Sequence, residues 1–369
     1  MTFTDDIKKA LIKTHKDTNE ESLDLYISRT AKLYNDIHGI KIPRKTRLET
    51  PEEFKKRQYY PLNKEKSFNW IKDIDMIEKY FDEQNRSIST RTTYYSGILE
   101  VIRAMDYPDE KSVKNLIKQR QEYIDQYNSI EDGLKSKRQE DSFIDVKIIN
   151  DKIDLYEKKI KGGDRDPDLL QIWMILNIIR KFRFRNEIAS LEFVDIHDYN
   201  KEKGNTEKNM IVMDPQGWFI SKNKYKTSKR YGEVIIPLEG QILQDIKLYR
   251  GSTMKASKIR REKALKEGEP DPGDKLFVSS FQVTKRSTEM TSNALSKYLL
   301  NWSNKELPPV QLEDGSKKPR NLGSNMIVKV YESAEHGEGK ASLQKQSKNR
   351  GNDPGTMMKH YVSTKNPKD

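Results

Sequence analysis

The chain of 369 residues contains no cysteine, which excludes disulfide bonds and thiolate metal sites and fits a reducing, intracellular compartment. Its five histidines are scattered and form no paired histidine–carboxylate motif, so we expect no bound metal. Neither the P-loop nor the dinucleotide-binding glycine pattern is present, and we therefore expect no cofactor.

Long apolar runs are missing as well. No stretch approaches the roughly 18 consecutive apolar residues of a membrane span. The first residues also lack the charged-then-apolar layout of a signal peptide. We expect a protein that is neither membrane-bound nor secreted.

What the chain has in excess is positive charge. Lysine and arginine number 69 against 57 acidic residues, which gives a formal net charge of +12. Such an excess favours a polyanionic partner, with nucleic acid before a membrane surface. A well-solvated surface is the alternative explanation for the same composition.

The first part of the chain has helical periodicity. Apolar residues recur at helical spacing from the start to about residue 45 and again from 68 to 105, with a proline-bearing linker expected between residues 43 and 61. The loop from Asn85 to Thr93 carries hydroxyls, Arg86 and Arg91, and suits either phosphate contacts or helix capping. A highly charged helical segment covers residues 109–160. A Gly-Gly-Asp stretch after Lys161 then predicts a boundary, with a helical domain at 1–163 and a second domain at 164–369.

The second domain mixes helices with short strands. A strongly apolar helix follows Asp166-Pro167, with Trp173 in its core. Strands are predicted at 210–213, 217–221 and 233–238, and the last two are joined by a cationic turn, residues 222–230. Helices are predicted at 239–249, 291–303, 322–334 and 339–349, with polar loops at 256–272 and 307–319. The fold class is therefore α+β, mainly helical, with a small antiparallel sheet.

The stretch from Arg350 to Tyr361 contains the candidate nucleophile of the chain. Asp353 followed by Pro354 is a helix-start signal, and Tyr361 ends the short helix that it predicts. A phenol has a pKa of about 10 and is a poor nucleophile at neutral pH. It becomes useful where cations stabilise the phenolate and the charge on an attacked phosphate.

Four segments of the chain together resemble the motifs of tyrosine recombinases, the family that cuts and rejoins DNA through a phosphotyrosine bond. Glu187-Ile-Ala-Ser-Leu191 with Val194-Asp195 resembles the first box, and the cationic turn with Lys226 resembles the β-hairpin lysine. Pro319-Arg-Asn-Leu-Gly323 stands where the second box belongs, and the segment from Asn352 to Tyr361 keeps the spacing of the last site to the nucleophile. Within this family, the four segments resemble the motifs of integrases of large DNA viruses and mobile elements. The resemblance covers about half the chain.

The resemblance implies an all-helical core-binding domain and a mixed α/β catalytic domain that close around double-stranded DNA. It makes Tyr361 the attacking residue, Lys226 the acid, Arg185 and Arg320 the phosphate clamps and Asn352 a phosphate ligand. Family behaviour implies a homotetramer on two DNA sites, with a monomer or weak oligomer when DNA is absent. Further DNA contacts are expected from a set of basic residues: Arg86, Arg91, Arg183, Lys224, Lys229, Arg230, Arg350 and His360.

The sequence departs from the family pattern at both box arginines. The usual first arginine is replaced by Phe184, flanked by Arg183 and Arg185, and we favour Arg185 as the clamp. The usual second arginine is replaced by Gly323, which has no side chain to offer. A missing charged donor costs on the order of 10² to 10³ in rate. We therefore expect a recombinase with weakened catalysis; a type IB topoisomerase or a DNA-binding protein without chemistry are the alternatives.

Overall fold

A computed structural model describes residues 2–16, 18, 20–46, 48–129, 142–202, 208–225, 228, 232–268, 271, 273–279, 290–312 and 315–336. The chain divides into two compact units, Met1–Glu131 and Asp132–Asp369. The division lies some thirty residues before the boundary expected at 163. The reason is that the helix Val146–Lys161 buries Ile149, Ile153 and Ile160 in the core of the second unit.

The first unit is helical throughout its described residues. Its helices are α1 (Phe3–Thr14), α2 (Glu20–Ile37), α3 (Pro51–Glu65), α4 (Ile74–Glu83), α5 (Ile88–Ala104) and α6 (Glu110–Ser129), with a 3₁₀ turn at Asn69–Lys72. One apolar cluster holds them together, and α5 lies at its centre with Tyr95, Ile98 and Ile102 fully buried. The helical character predicted for this part of the chain is confirmed.

The proline-bearing linker expected between 43 and 61 is wrong over its second half. Helix α3 begins at Pro51, with Thr50 accepting from the N–H of Glu53 and the Glu53 carboxylate accepting from the N–H of Thr50. This reciprocal cap, with proline at the first helical position, is a strong helix start. Pro61 lies inside the helix and does not end it.

The second unit packs helices against a five-stranded sheet. Its helices are α7 (Val146–Lys161), α8 (Pro167–Phe182), α9 (Ile196–Glu202), α10 (Gly240–Lys266), α11 (Ser292–Glu306) and α12 (Ser324–His336), with a 3₁₀ helix at Asn186–Ser190. The strands of the main sheet are β1 (Leu191–Asp195), β2 (Asn209–Met213), β3 (Phe219–Lys222), β4 (Val234–Pro237) and β5 (Asp274–Lys275). A separate antiparallel pair joins β6 (Val310–Gln311) and β7 (Lys317–Lys318). Trp173 on α8 is buried, so its assignment to the core is confirmed.

The sheet is mixed and not wholly antiparallel. Its order is β4-β3-β2-β1-β5, and β1 pairs with β2 in parallel while the other neighbours are antiparallel. A parallel pair needs a crossover, and α9 lies in the connection from β1 to β2. The three predicted strands correspond to β2, β3 and β4. Strand β1 was not predicted; it lies in the segment that resembles the first box.

Two loop predictions also differ from the structure. Helix α10 continues to Lys266, well into the polar loop expected at 256–272, and the β6–β7 pair lies in the loop expected at 307–319. The helices predicted at 291–303 and 322–334 correspond to α11 and α12. The helix predicted at 339–349 lies outside the described residues. Among the helices that are described, none has both the length and the apolar character to cross a membrane.

Candidate functional site

The first box begins where α8 ends. Arg183 takes the left-handed conformation at the C-cap of α8, and Phe184 follows with 1% of its surface exposed. Its ring stacks on Phe182 at 5.5 Å between centroids. The position at which the family pattern has an arginine therefore belongs to the hydrophobic core.

Arg183 is held by acidic residues of α12. Its Nη2 lies 2.8 Å from an oxygen of Glu335, and its Nε lies 3.8 Å from an oxygen of the fully buried Glu332. Its guanidinium also lies over the ring of Tyr331 at 4.6 Å. Arg183, expected to contact DNA, thus has a structural role that joins α8 to α12.

Arg185 belongs to a buried charge cluster centred on Glu187. The Arg185 Nε lies 4.0 Å from one carboxylate oxygen of Glu187, and the Lys222 Nζ lies 3.2 Å from the other. Lys222, at the end of β3, is 1% exposed, and its Nζ lies 4.6 Å from the ring centres of both Phe184 and Tyr225. The cluster joins the first box to the base of the hairpin.

The electrostatics of this cluster follow from its burial. Burial opposes ionisation of the Glu187 carboxyl, but the charges of Lys222 and Arg185 outweigh it and hold the pKa of Glu187 below its ordinary value. Glu187 is therefore an ionised carboxylate at neutral pH. Its charge fixes the positions of the two cations around it.

Lys222 was not recognised from the sequence, although a signal was present. Side chains two residues apart in a strand point to the same face. Ile220 is fully buried, so Lys222 points inward beside it. This alternation places Lys222, the first lysine of the cationic turn, in the interior.

Asn209 makes a second link between the first box and the hairpin. It is buried on β2, and its Nδ2 donates to the backbone carbonyls of Glu187 at 3.2 Å and Lys224 at 3.0 Å. Its Oδ1 accepts from the backbone N–H groups of Asn223 at 2.9 Å and Lys224 at 2.8 Å. One amide side chain thereby fixes both segments, and no sequence motif pointed to it.

The hairpin is internally braced near the cationic turn. The hydroxyl of Tyr225 donates to the carbonyl of Gly232 at 2.6 Å, and the N–H of Ser228 donates to the carbonyl of Tyr225 at 3.0 Å. Lys224 is exposed beside this turn. These two hydrogen bonds fix the conformation of the described residues at the base of the turn.

The second box meets the first box at Asn186. The hydroxyl of Ser324 donates to Asn186 Oδ1 at 2.6 Å, and that of Ser296 donates to the same oxygen at 3.3 Å. Gly323 precedes α12, and its carbonyl accepts from the N–H groups of Met326 and Ile327. A Cβ added at Gly323 would meet nothing within 4 Å. The structure thus brings the two boxes together, and the described residues leave room for a Cβ at Gly323.

Arg320 does not supply a clamp in this arrangement. Its Nε donates to the carbonyl of Pro308 at 3.0 Å, and its Nη1 donates to the carbonyl of Phe143. Burial lowers the pKa of Arg320. The guanidinium thus fixes the loop before α12 to the segment before α7, which corrects the catalytic role expected for it.

The two arginines of the first unit also have internal partners. Arg91 pairs with Asp82 at 2.7 Å and with Glu78 at 3.4 Å, and Arg86 donates to the hydroxyl of Tyr80 at 2.9 Å. Ser87 caps α5. Helix capping, one of the two roles considered for this loop, is confirmed.

Several predicted site residues fall outside the part of the chain that the structure describes. They are Lys226, Lys229, Arg230, Arg350, Asn352, His360 and Tyr361. Their roles stay predictions. No protein-family model matches the chain, and no curated protein matches it.

Proposed function

We propose that the chain breaks and rejoins double-stranded DNA by the chemistry of tyrosine recombinases, with weakened catalysis. The observation that carries the proposal is the meeting of three segments that are far apart in sequence. The first box, the base of the cationic turn and the second box are joined by the side-chain hydrogen bonds of Asn186 and Asn209. The proposal requires that these segments present their cations to a single phosphate.

In the proposed reaction, the phenol oxygen of Tyr361 attacks a phosphorus atom of the DNA backbone. The phenol gives its proton to solvent water as the new O–P bond forms and the bond to the 5′ oxygen breaks, and Lys226 gives a proton to that leaving oxygen. Arg185 and Asn352 donate to the non-bridging oxygens. Arg320 has no part in this step, because its guanidinium binds two backbone carbonyls.

A covalent adduct tests the chemistry directly. The purified chain is incubated with nicked duplexes of randomised sequence, in which the short strand beyond the cut diffuses away, and adducts are separated on a denaturing gel. We expect an adduct from the wild type and none from Tyr361→Phe. An adduct of equal yield in both would overturn the assignment of the nucleophile.

A second candidate is a DNA-binding protein of the same fold without chemistry. Two observations favour it: Phe184 lies in the core, and Arg320 is occupied by backbone carbonyls. Under this candidate the wild type forms no adduct. Binding of the randomised duplexes, with affinity that falls steeply as salt rises, then remains as the activity of the chain.

Assembly on DNA is part of the proposal. We expect four copies of the chain on two DNA sites and a smaller species without DNA. Sedimentation of the chain with and without a selected duplex, whose sequence is recovered from the covalent adducts, measures this. Relaxation of a supercoiled plasmid that lacks the selected site would instead favour a topoisomerase acting alone.

A further inference from the structure

The first unit has an apolar groove of about 690 Å³ along helix α3. Ile40, Ile42 and Pro61 line it together with the ring of Tyr60. Tyr60 is 66% exposed, which is unusual for so large a hydrophobic residue. The groove lies wholly within the first unit and includes none of the residues assigned to the proposed reaction.

Cations surround this groove. Lys56 and Lys64 stand one helical turn before and one after Tyr60, on the same stripe of α3, and both are exposed. Within the described chain neither ammonium group lies within ion-pair distance of a carboxylate. Lys41, Arg44 and Lys45, in the segment that passes the groove, are also exposed.

One carboxylate, that of Glu53, lines the groove together with Arg57, and it already accepts a hydrogen bond. The Glu53 carboxylate accepts from the backbone N–H of Thr50 at 2.7 Å, as part of the cap of α3. Glu49 is bound to Arg57 at 2.8 Å. Over residues 40–66 lysines and arginines outnumber carboxylates by nine to four, whereas over the whole first unit the excess is a single cation. The positive charge of the unit is thus concentrated at the groove.

From this arrangement we infer that the groove binds unpaired nucleotides of single-stranded nucleic acid, with a base stacked on Tyr60 and phosphates beside Lys56 and Lys64. A flat aromatic platform between cations suits a ligand in which flat apolar bases alternate with negative charge. The two lysines are separated by about 12 Å along the helix axis, so they contact phosphates on either side of the stacked base. A duplex hides the faces of its bases and leaves the Tyr60 ring without a partner.

The inference does not rest on the proposed strand-cutting function, because it involves neither Tyr361 nor the second unit. The test uses the full chain and fluorescence anisotropy. The probes are a labelled oligothymidylate of roughly 20 nucleotides, an abasic strand of the same length and a duplex of the same length. Variants are Tyr60→Ala, Tyr60→Phe and the pair Lys56→Ala with Lys64→Ala.

We expect Tyr60→Ala to weaken oligothymidylate binding at least about fivefold, the lower end for one stacked base, and Tyr60→Phe to bind like the wild type. The abasic strand should be insensitive to Tyr60→Ala. The lysine pair should weaken both single strands. Its matched control removes two other exposed lysines of the same unit, Lys79→Ala with Lys114→Ala, and should have little effect.

Several outcomes would overturn the inference. One is an unchanged oligothymidylate affinity in Tyr60→Ala, and another is an equal loss for the abasic strand or the duplex. Displacement by polyglutamate as effective as by unlabelled oligothymidylate would assign the groove to an acidic peptide. Self-association of the wild type that Tyr60→Ala abolishes would assign it to a second copy of the chain. Thermal unfolding followed by circular dichroism verifies that each variant is folded.

Discussion

Lys222 and Glu187 are an ion pair that the fold buries almost completely. Taking both charges out of water is costly, and their mutual attraction offsets that cost only while both are present. Removal of one partner leaves the other charge buried without compensation. The pair therefore contributes less to net stability than its geometry suggests, but the fold is sensitive to losing either member.

Lys222→Met should lower the free energy of unfolding by about 3–5 kcal/mol, because it leaves the Glu187 carboxylate buried with only the more distant Arg185. Combining it with Glu187→Gln should cost clearly less than the sum of the two single changes. Urea unfolding of the wild type, both single variants and the double variant measures the coupling. Additive losses would show that the two side chains do not interact.

The lowered pKa of Glu187 also predicts a pH dependence. A carboxyl whose folded-state pKa lies below its unfolded value of about 4.5 contributes stability above that value and loses it as pH falls through the folded pKa. The stability difference between wild type and Glu187→Gln should therefore shrink as pH falls from about 7 to about 3. Denaturant unfolding across this range measures it, with the exposed Glu262→Gln as a control that should show little change.

Phe184 and Gly323 each stand where the family pattern has an arginine, but the two positions should differ in how well they accept an arginine. In the wild type the Lys222 ammonium lies over the Phe184 ring. Phe184→Arg would replace that ring with a second cation inside the core. We expect it to lower unfolding stability by at least about 3 kcal/mol. At Gly323 an added Cβ meets no atom of the described residues within 4 Å, so for Gly323→Arg we expect a change within about 1 kcal/mol.

Gly323→Arg is therefore the variant that can restore a phosphate donor without unfolding the chain. We expect it to raise the rate of adduct formation with Tyr361 intact, by on the order of 10²-fold. Gly323→Gln, of similar length without the charge, is the matched control. An increase that is as large in the glutamine variant would show that charge is not the cause.

At the scale of helices and strands, local patterns were enough to predict most of the second unit. Short runs rich in apolar residues identified β2, β3 and β4, and the cationic turn between the last two runs followed from them. The parallel pairing of β1 with β2 could not be predicted, because it depends on a crossover whose register no local pattern encodes.

Two helices show why the remaining elements were missed. Pro61 suggested a linker, yet α3 starts from a reciprocal cap at Thr50 that outweighs a proline further along the helix. Residues 256–266 of α10 contain many cations and show little apolar periodicity, so the sequence pattern predicted a polar loop there. It is tied to β5 instead by Ser257 and Arg250, which both reach Asp274.

Asn209 is the side chain through which β2 holds both the first box and the hairpin. Asn209→Ala removes the hydrogen-bond partner of the buried N–H of Asn223 and of partly buried backbone groups of Lys224 and Glu187, so we expect a loss of at least about 1–3 kcal/mol in unfolding free energy. Urea unfolding measures it, with the exposed Gln216→Ala as control. If the site depends on this link, adduct formation should fall further than the folded fraction does.

At the scale of the whole molecule, positive charge is unevenly distributed. The first unit has an excess of one cation, and the second unit has an excess of eleven. Each unit has its own apolar cluster, so each carries the means to fold by itself. The net charge that favours a polyanionic partner is therefore a property of the second unit.

This distribution predicts which unit dominates binding to duplex DNA. The logarithm of the binding constant falls linearly with the logarithm of the salt concentration, by about 0.9 for each phosphate neutralised. A fragment of residues 132–369 should keep most of the salt slope of the full chain, whereas residues 1–131 should show a small slope on duplex. Anisotropy titrations at several salt concentrations measure both, after circular dichroism has shown that each fragment is folded. A larger slope for residues 1–131 would contradict the prediction, since it would mean that local contacts, and not the net charge of a unit, decide where the duplex binds.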